Sequence, residues 1–179
     1  MTDDPHAPPA PEARALETVA ELMCLAARTA PKARGRDNLH VGVFRGDAKS
    51  RVTARMRRVA ADHDVGFFAR DADNCDAAAL VVVVATRLEP LRIPHCGFCG
   101  FGDCAGCLEA GGVCAFNSGD LGIALGSAAA VAARHHADNR MMFSFGKSAI
   151  EAGELPPEVR IAVGIPLSAT GKSPFFDRP

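Results

Sequence analysis

Five cysteines, Cys96, Cys99, Cys104, Cys107 and Cys114, stand within 19 positions of this chain in the spacing C-x2-C-x4-C-x2-C-x6-C. Cysteines two residues apart can aim both thiolates at one metal centre if the turn between them is tight. Gly97 and Gly100 permit that turn and let backbone N–H groups approach the sulfurs. Structural zinc sites commonly join two knuckles from separated segments. Here one continuous loop offers the thiols, as compact iron–sulfur runs do, and a cluster is wide enough for a wrapping loop to reach several of its irons. The spacing predicts an iron–sulfur cluster, of the 4Fe–4S type if four thiols ligate it. A zinc ion is the second reading. A redox disulfide pair is the third, and it leaves the other thiols without a task.

Four ligands are needed and five cysteines are offered. Cys96, Cys99 and Cys104 follow from the Cys-Gly-x-Cys-Gly frame. For the fourth, Cys114 is preferred because the Gly111-Gly112 hinge can swing it back to close the site, whereas Cys107 sits close behind Cys104 and would have to crowd in. Cys107 stays as the alternative. His95 adjoins the first ligand and could replace one, as in high-potential centres, but it reads better as a neighbour that hydrogen-bonds or faces solvent. Cys24 and Cys75 stand alone and read as small buried hydrophobes.

A loop of this kind needs rigid elements on both sides. Before it, residues 79–85 carry four consecutive valines and predict a strand buried on both faces. After it, residues 118–136 predict a helix, with Ser118 or Asn117 as its cap and Asp120 in its first turn. That helix is apolar nearly all round and rich in small residues (Gly122, Gly126, Ala128, Ala129, Ala132), so it belongs in the middle of the structure or at a subunit interface. Elsewhere, helices are predicted at 12–28, 49–62 and 147–152, and strands at 39–44, 140–143 and 159–165. Residues 1–11 read as a flexible tail and 12–179 as a single mixed α and β domain, with the cluster loop at 95–117. Asp71, Asp73 and Asp76 beside Cys75 read as a polar loop.

The chain has 179 residues, 48% of them apolar, enough to bury a sizeable core. Its net charge of −1 gives no footprint for nucleic acid or an anionic membrane. The basic run Arg51, Arg55, Arg57 and Arg58 reads as a solvated helix face. The N-terminus is acidic and Pro-rich, with no basic segment followed by an apolar one, so it is no signal peptide, and the longest apolar stretch is too short to span a membrane. The expectation is a cytoplasmic protein, whose thiols stay reduced unless a metal holds them. Lys147 and Lys172 follow glycine but lack the phosphate-loop frame. No Ser/His/Asp set or paired carboxylates can be assigned.

Several longer motifs carry a resemblance: Cys96-Gly-Phe-Cys-Gly, Cys114-Ala-Phe-Asn, Asp120-Leu-Gly-Ile-Ala-Leu-Gly-Ser, Asp138-Asn-Arg-Met-Met-Phe-Ser and the segment from Gly164 to Arg178. Together they resemble an uncharacterised prokaryotic family named for a ferredoxin-type domain, over nearly the whole chain beyond residue 12. The opening Cys-Gly-x-Cys-Gly-x3-Cys is also similar to the 4Fe–4S domain of some membrane redox complexes, where the fourth cysteine lies well downstream. A fainter resemblance is to the nitroreductase fold, through Arg28-Thr-Ala-Pro-Lys-Ala and Asp37-Asn38-Leu39. It implies an α+β fold with a mixed sheet flanked by helices, the cysteine loop inserted before the central helix, and a homodimer built on that helix. It also implies Arg28, Lys32, Arg34, Asn38 and Lys172 as the residues that would hold an FMN. The basic segment before the first helix and the Gln-Pro-Trp after Asn38 are missing from that pattern. The function expected is electron transfer or an oxidoreductase reaction, with an unspecified redox partner or small-molecule substrate. A non-enzymatic redox or metal sensor and a zinc-stabilised interaction module are the alternatives.

Overall fold

The computed structural model describes residues 10–176. The expected tail lies outside the described residues except for its last two positions, and Pro11 already opens the first helix. Proline is well placed there, since the first helical N–H has no partner to lose. Helix α1 (Pro11–Thr29) buries Leu16, Val19, Ala20, Met23 and Ala27, one stripe at helical spacing. Strand β1 (Leu39–Phe44) follows, then α2 (Gly46–His63) and α3 (Gly66–Ala77). Strand β2 (Leu80–Arg87) leads into the cysteine segment, which contains the short helix α4 (Cys104–Glu109). Helix α5 (Ala115–Arg134), strand β3 (Asp138–Asn139), α6 (Phe143–Glu151) and β4 (Val159–Ser168) complete the chain.

The sheet runs β1-β2-β4-β3, and every pairing in it is antiparallel. That corrects the mixed sheet expected among these strands. Two helices rather than one separate β1 from β2, so the chain re-enters the sheet at the end it left. β2 is buried along nearly its whole length because helices cover both faces, and its side chains alternate between them. Leu80, Val82 and Val84 pack with α1 and α5, while Val81, Val83 and Ala85 pack with α2, α3 and α6. The result is an α+β fold of three layers with β2 at its centre.

Three expectations give way. The polar loop around Asp71, Asp73 and Asp76 is helix α3. Its buried residues Phe68, Ala72 and Cys75 recur at helical spacing, and the acids are absorbed by pairing. Asp73 and Asp76 meet Arg57 of α2, while buried Asp71 accepts from Ser144 at 2.7 Å and from Arg70 at 2.8 Å. No strand forms over 140–143: β3 lies just before it, Met142 alone bridges to Gly164, and Phe143 already begins α6. The long helix starts at Ala115, three residues earlier than expected, and Cys114 rather than Ser118 or Asn117 occupies the cap position.

Candidate functional site

Residues 88–114 cross from the end of β2 to the start of α5, and the neck of this crossing is tied shut. The backbone N–H of Glu89 donates to Asn117 Oδ1 at 3.0 Å. Asn38 holds the same neck from the other side: Arg87 donates to its carbonyl and to its Oδ1, both at 3.1 Å, and its Nδ2 reaches the Glu89 carbonyl at 3.4 Å. Arg34 grips the next stretch, donating to the carbonyls of Leu91 at 2.9 Å and Arg92 at 3.1 Å. Asp120, in the first turns of α5, accepts the Ala33 N–H with both carboxylate oxygens at 3.1 and 3.2 Å. The segment between α1 and β1 is thus a strap across the base of the cysteine loop.

Within the loop, Gly97 and Gly100 take φ of 65° and 83°, a left-handed geometry that other residues reach only with strain. They turn the chain between Cys96 and Cys99 and just after Cys99, as the frame requires. Asp103 then caps α4 by accepting from Gly106 at 2.8 Å. Gly111, with φ of 63°, reverses the chain past α4, and the Gly112 N–H closes that turn on the Cys107 carbonyl at 2.8 Å. Cys114 is carried back as a consequence.

Cys96, Cys99, Cys104 and Cys114 all line one cavity of about 280 Å³, whose other walls include Leu91, Ile93, Pro94 and Phe116. Cys107 does not line it. It lies buried behind, close to Cys99. Burial pushes its thiol above the ordinary range, and Cys99, Cys114 and Cys104 add to the rise. All these cysteines are free thiols, which leaves the disulfide reading without a bond. Among the described residues no three His, Cys, Asp or Glu side chains gather closely enough to hold a single metal ion. His95 borders the cavity and is exposed. Cys75 is fully buried, and burial together with Asp71 pushes its thiol up to about 12, so it stays protonated and unreactive. Cys24 is half-buried and packs on the core.

A second, more open cavity of about 500 Å³ lies next door. It shares Ala115 and Phe116 with the first and adds Lys32, Phe98 and Ile123. Phe98 is 77% exposed and stacks on Phe116 with ring centres 5.9 Å apart.

The residues implied for flavin do not gather. Arg28 pairs with Asp37 at 2.5 Å and donates to the Leu39 carbonyl at 3.0 Å. Lys32 donates to the Arg28 and Ala30 carbonyls at 2.6 and 2.9 Å, which satisfies the end of α1. Arg34 and Asn38 are taken up by the loop neck. Lys172 is exposed beyond β4. Lys32 borders the second cavity, whereas Asn38 borders a different one beside Arg87 and Glu158. Among the described residues these five side chains are not drawn together round one cavity. What sequence reasoning missed is that Arg34, Asn38, Asn117 and Asp120 hold the loop. For Asn38, Asn117 and Asp120 the only signal was an Asn or Asp near an element boundary, and Arg34 carried none.

A family profile described as an uncharacterized protein containing a ferredoxin domain (DUF2148) matches residues 110–178. A relative from Archaeoglobus fulgidus, described as an uncharacterized protein, is 34% identical over 171 residues and is matched across 91% of both chains. The chain belongs to this ferredoxin-domain family. Its fold is shared more widely. A nitroreductase with bound FMN from Desulfitobacterium hafniense superposes with a TM-score of 0.60 at 16% identity, covering 93% of this chain and 81% of that one. A nitroreductase family protein from Clostridium novyi gives 0.58 at 16%, covering 90% and 76%. An FMN-dependent nitroreductase from Mycobacterium smegmatis, in complex with NADPH, gives 0.55 at 14%, covering 87% and 78%. At these identities the ferredoxin-domain protein shares their nitroreductase fold.

Proposed function

We propose that this chain is an iron–sulfur protein that carries a 4Fe–4S cluster on Cys96, Cys99, Cys104 and Cys114 and serves electron transfer or an oxidoreductase reaction. The observation that carries the reading is the single cavity lined by those four thiols, with the fifth thiol set behind it. The donor set suits the group: four soft ligands on a loop whose glycines leave backbone N–H groups near sulfur. A cluster there would supply one-electron chemistry. The protein's part is to present and orient the four thiols, and to keep water off them with Leu91, Ile93, Pro94 and Phe116. The ferredoxin-domain family and the nitroreductase fold both support redox chemistry. FMN finds less support. Arg34 and Asn38 are engaged at the loop neck, Lys32 at the end of α1 and Arg28 with Asp37, and Lys172 stands apart beyond β4.

The test is a spectrum and metal analysis of protein purified without oxygen. Brown protein with about four iron and four sulfide per chain is expected. Stoichiometric zinc without iron would end the iron–sulfur reading. Flavin released on denaturation would restore FMN. A cytoplasmic, reducing setting fits a protein whose thiols are all free, and among the described residues no helix is long and apolar enough to cross a membrane. We further place two copies together along the open side of α5, where Gly119, Gly122, Ile123, Gly126 and Ala130 are exposed.

A further inference from the structure

Asn117 keeps an unspent donor beside the cysteine cavity. The residue is 1% exposed. Its Oδ1 accepts the Glu89 N–H, and an oxygen must occupy that position because the group it meets is a donor. Its Nδ2 therefore carries both amide hydrogens, and it has no partner among the described residues. A buried donor left unpaired is costly, so such groups ordinarily have an occupant that satisfies them. Asn117 does not itself line the cysteine cavity, but its neighbours in the chain do. Cys114, Ala115 and Phe116, which directly precede it, line the cavity, and so does Leu91, two residues beyond the Glu89 it holds. Cys114 and Asn117 are three positions apart at the start of α5 and share its buried side, and the Asn117 N–H donates to the Cys114 carbonyl at 2.9 Å.

We propose that Asn117 donates an Nδ2–H hydrogen bond to sulfur at the cluster site and so raises its reduction potential. The inference rests on the cluster reading above. Accepting one electron from an external reductant leaves one more negative charge on the sulfurs. A neutral donor fixed beside them stabilises that reduced form more than the oxidised one. Asn117 is a positioning residue for the loop through its oxygen and a tuning residue through its nitrogen.

The experiment is a redox titration, followed by electron paramagnetic resonance, of cluster-loaded wild type and Asn117→Leu. The variant removes the Glu89 tie as well as the donor, so iron is measured first, and the protein that has loaded it is expected to be harder to reduce. At a fixed potential its oxidised-to-reduced ratio should rise about tenfold, which corresponds to about 59 mV for a one-electron couple. An unchanged potential in a loaded Asn117→Leu protein overturns the proposal. If that variant does not load, the wild type decides. With asparagine isotope-labelled at its side-chain amide, pulsed resonance should detect a nitrogen coupled to the reduced cluster, and Asn117→Asp should lose the signal. Absence of such a coupling overturns the proposal as well. A wild type that takes up no iron removes the cluster reading itself, and this inference falls with it.

Discussion

Of the five thiols on the loop, Cys107 and Cys114 differ most in what surrounds them. Both are buried, yet Cys114 caps α5 and opens on the cavity, while Cys107 faces Cys99 from behind it. Cys114→Ala should therefore lose both colour and stability, because the loop would no longer be closed onto the long helix. Cys107→Ala should keep most of the colour. Iron content and thermal melts of the two variants check this, and the reverse ranking would sink the assignment. The return of Cys114 to the cavity of Cys96, Cys99 and Cys104 could be read from the glycine hinge alone, since Gly111 does turn the chain back. The roles of Arg34 and Asn38 could not be read that way. Each donates to a backbone carbonyl more than 50 residues away, and nothing local marks such a bond.

Most elements were legible because their apolar positions keep one period. The stripe of α1 and the valines of β2 are long and uniform. Helix α3 was not legible, since its acids look solvent-facing until Arg57 and Ser144 are brought against them from elsewhere in the chain and the adjacent Arg70 turns onto Asp71. Two tests belong to how the elements meet. Helix α6 lies so close to β4 that a Cβ on Gly146 would stand 1.9 Å from the Ala162 carbonyl oxygen. Gly146→Ala should cost about 3 kcal/mol by forcing the two apart, as denaturant melts would show. Ion pairs from α2 also hold this corner, Arg55 to Glu151 and Arg51 to Glu154, with Lys147 on Glu151 as well. Lys147 chiefly, then Arg55, holds Glu151 below its usual 4.5, and Arg51 does the same for Glu154. Depressed carboxylates stabilise the fold above the unfolded value and lose that contribution as pH falls through the lower folded one. Melting temperature should drop as the pH is taken below 4.5, and more steeply in the wild type than in a Glu151→Gln, Glu154→Gln double variant. Equal slopes would count against these pairs.

At the scale of the whole molecule, α5 is not surrounded by its own protomer. Leu121, Ala124, Leu125, Ala128 and Ala132 face the core, and the other side is open. Exposed glycines inside a helix cost stability unless something approaches them closely. A Cβ on Gly126 meets nothing within 4 Å, so Gly126→Leu fits a lone protomer without strain. In a dimer it would wedge the two helices apart, at a cost of about 1–3 kcal/mol on each side. Light scattering at low micromolar concentration should give twice the 18.7 kDa chain mass for the wild type and a smaller mass for the variant. A wild-type mass of one chain overturns the dimer.

The tied neck has a consequence for how the protein matures. Leu91, Cys107 and Cys114 are buried, yet none belongs to either core of the three layers. With Glu89 fastened to Asn117, residues 90–116 form an appendix that can open without disturbing the sheet. The chain can therefore finish folding while the appendix is still fluctuating, and the proposed cluster would be taken up by an already native body. Amide exchange on metal-free protein should divide accordingly, fast across the appendix and slow along β2. Uniformly fast exchange would mean that the body does not fold ahead of the appendix.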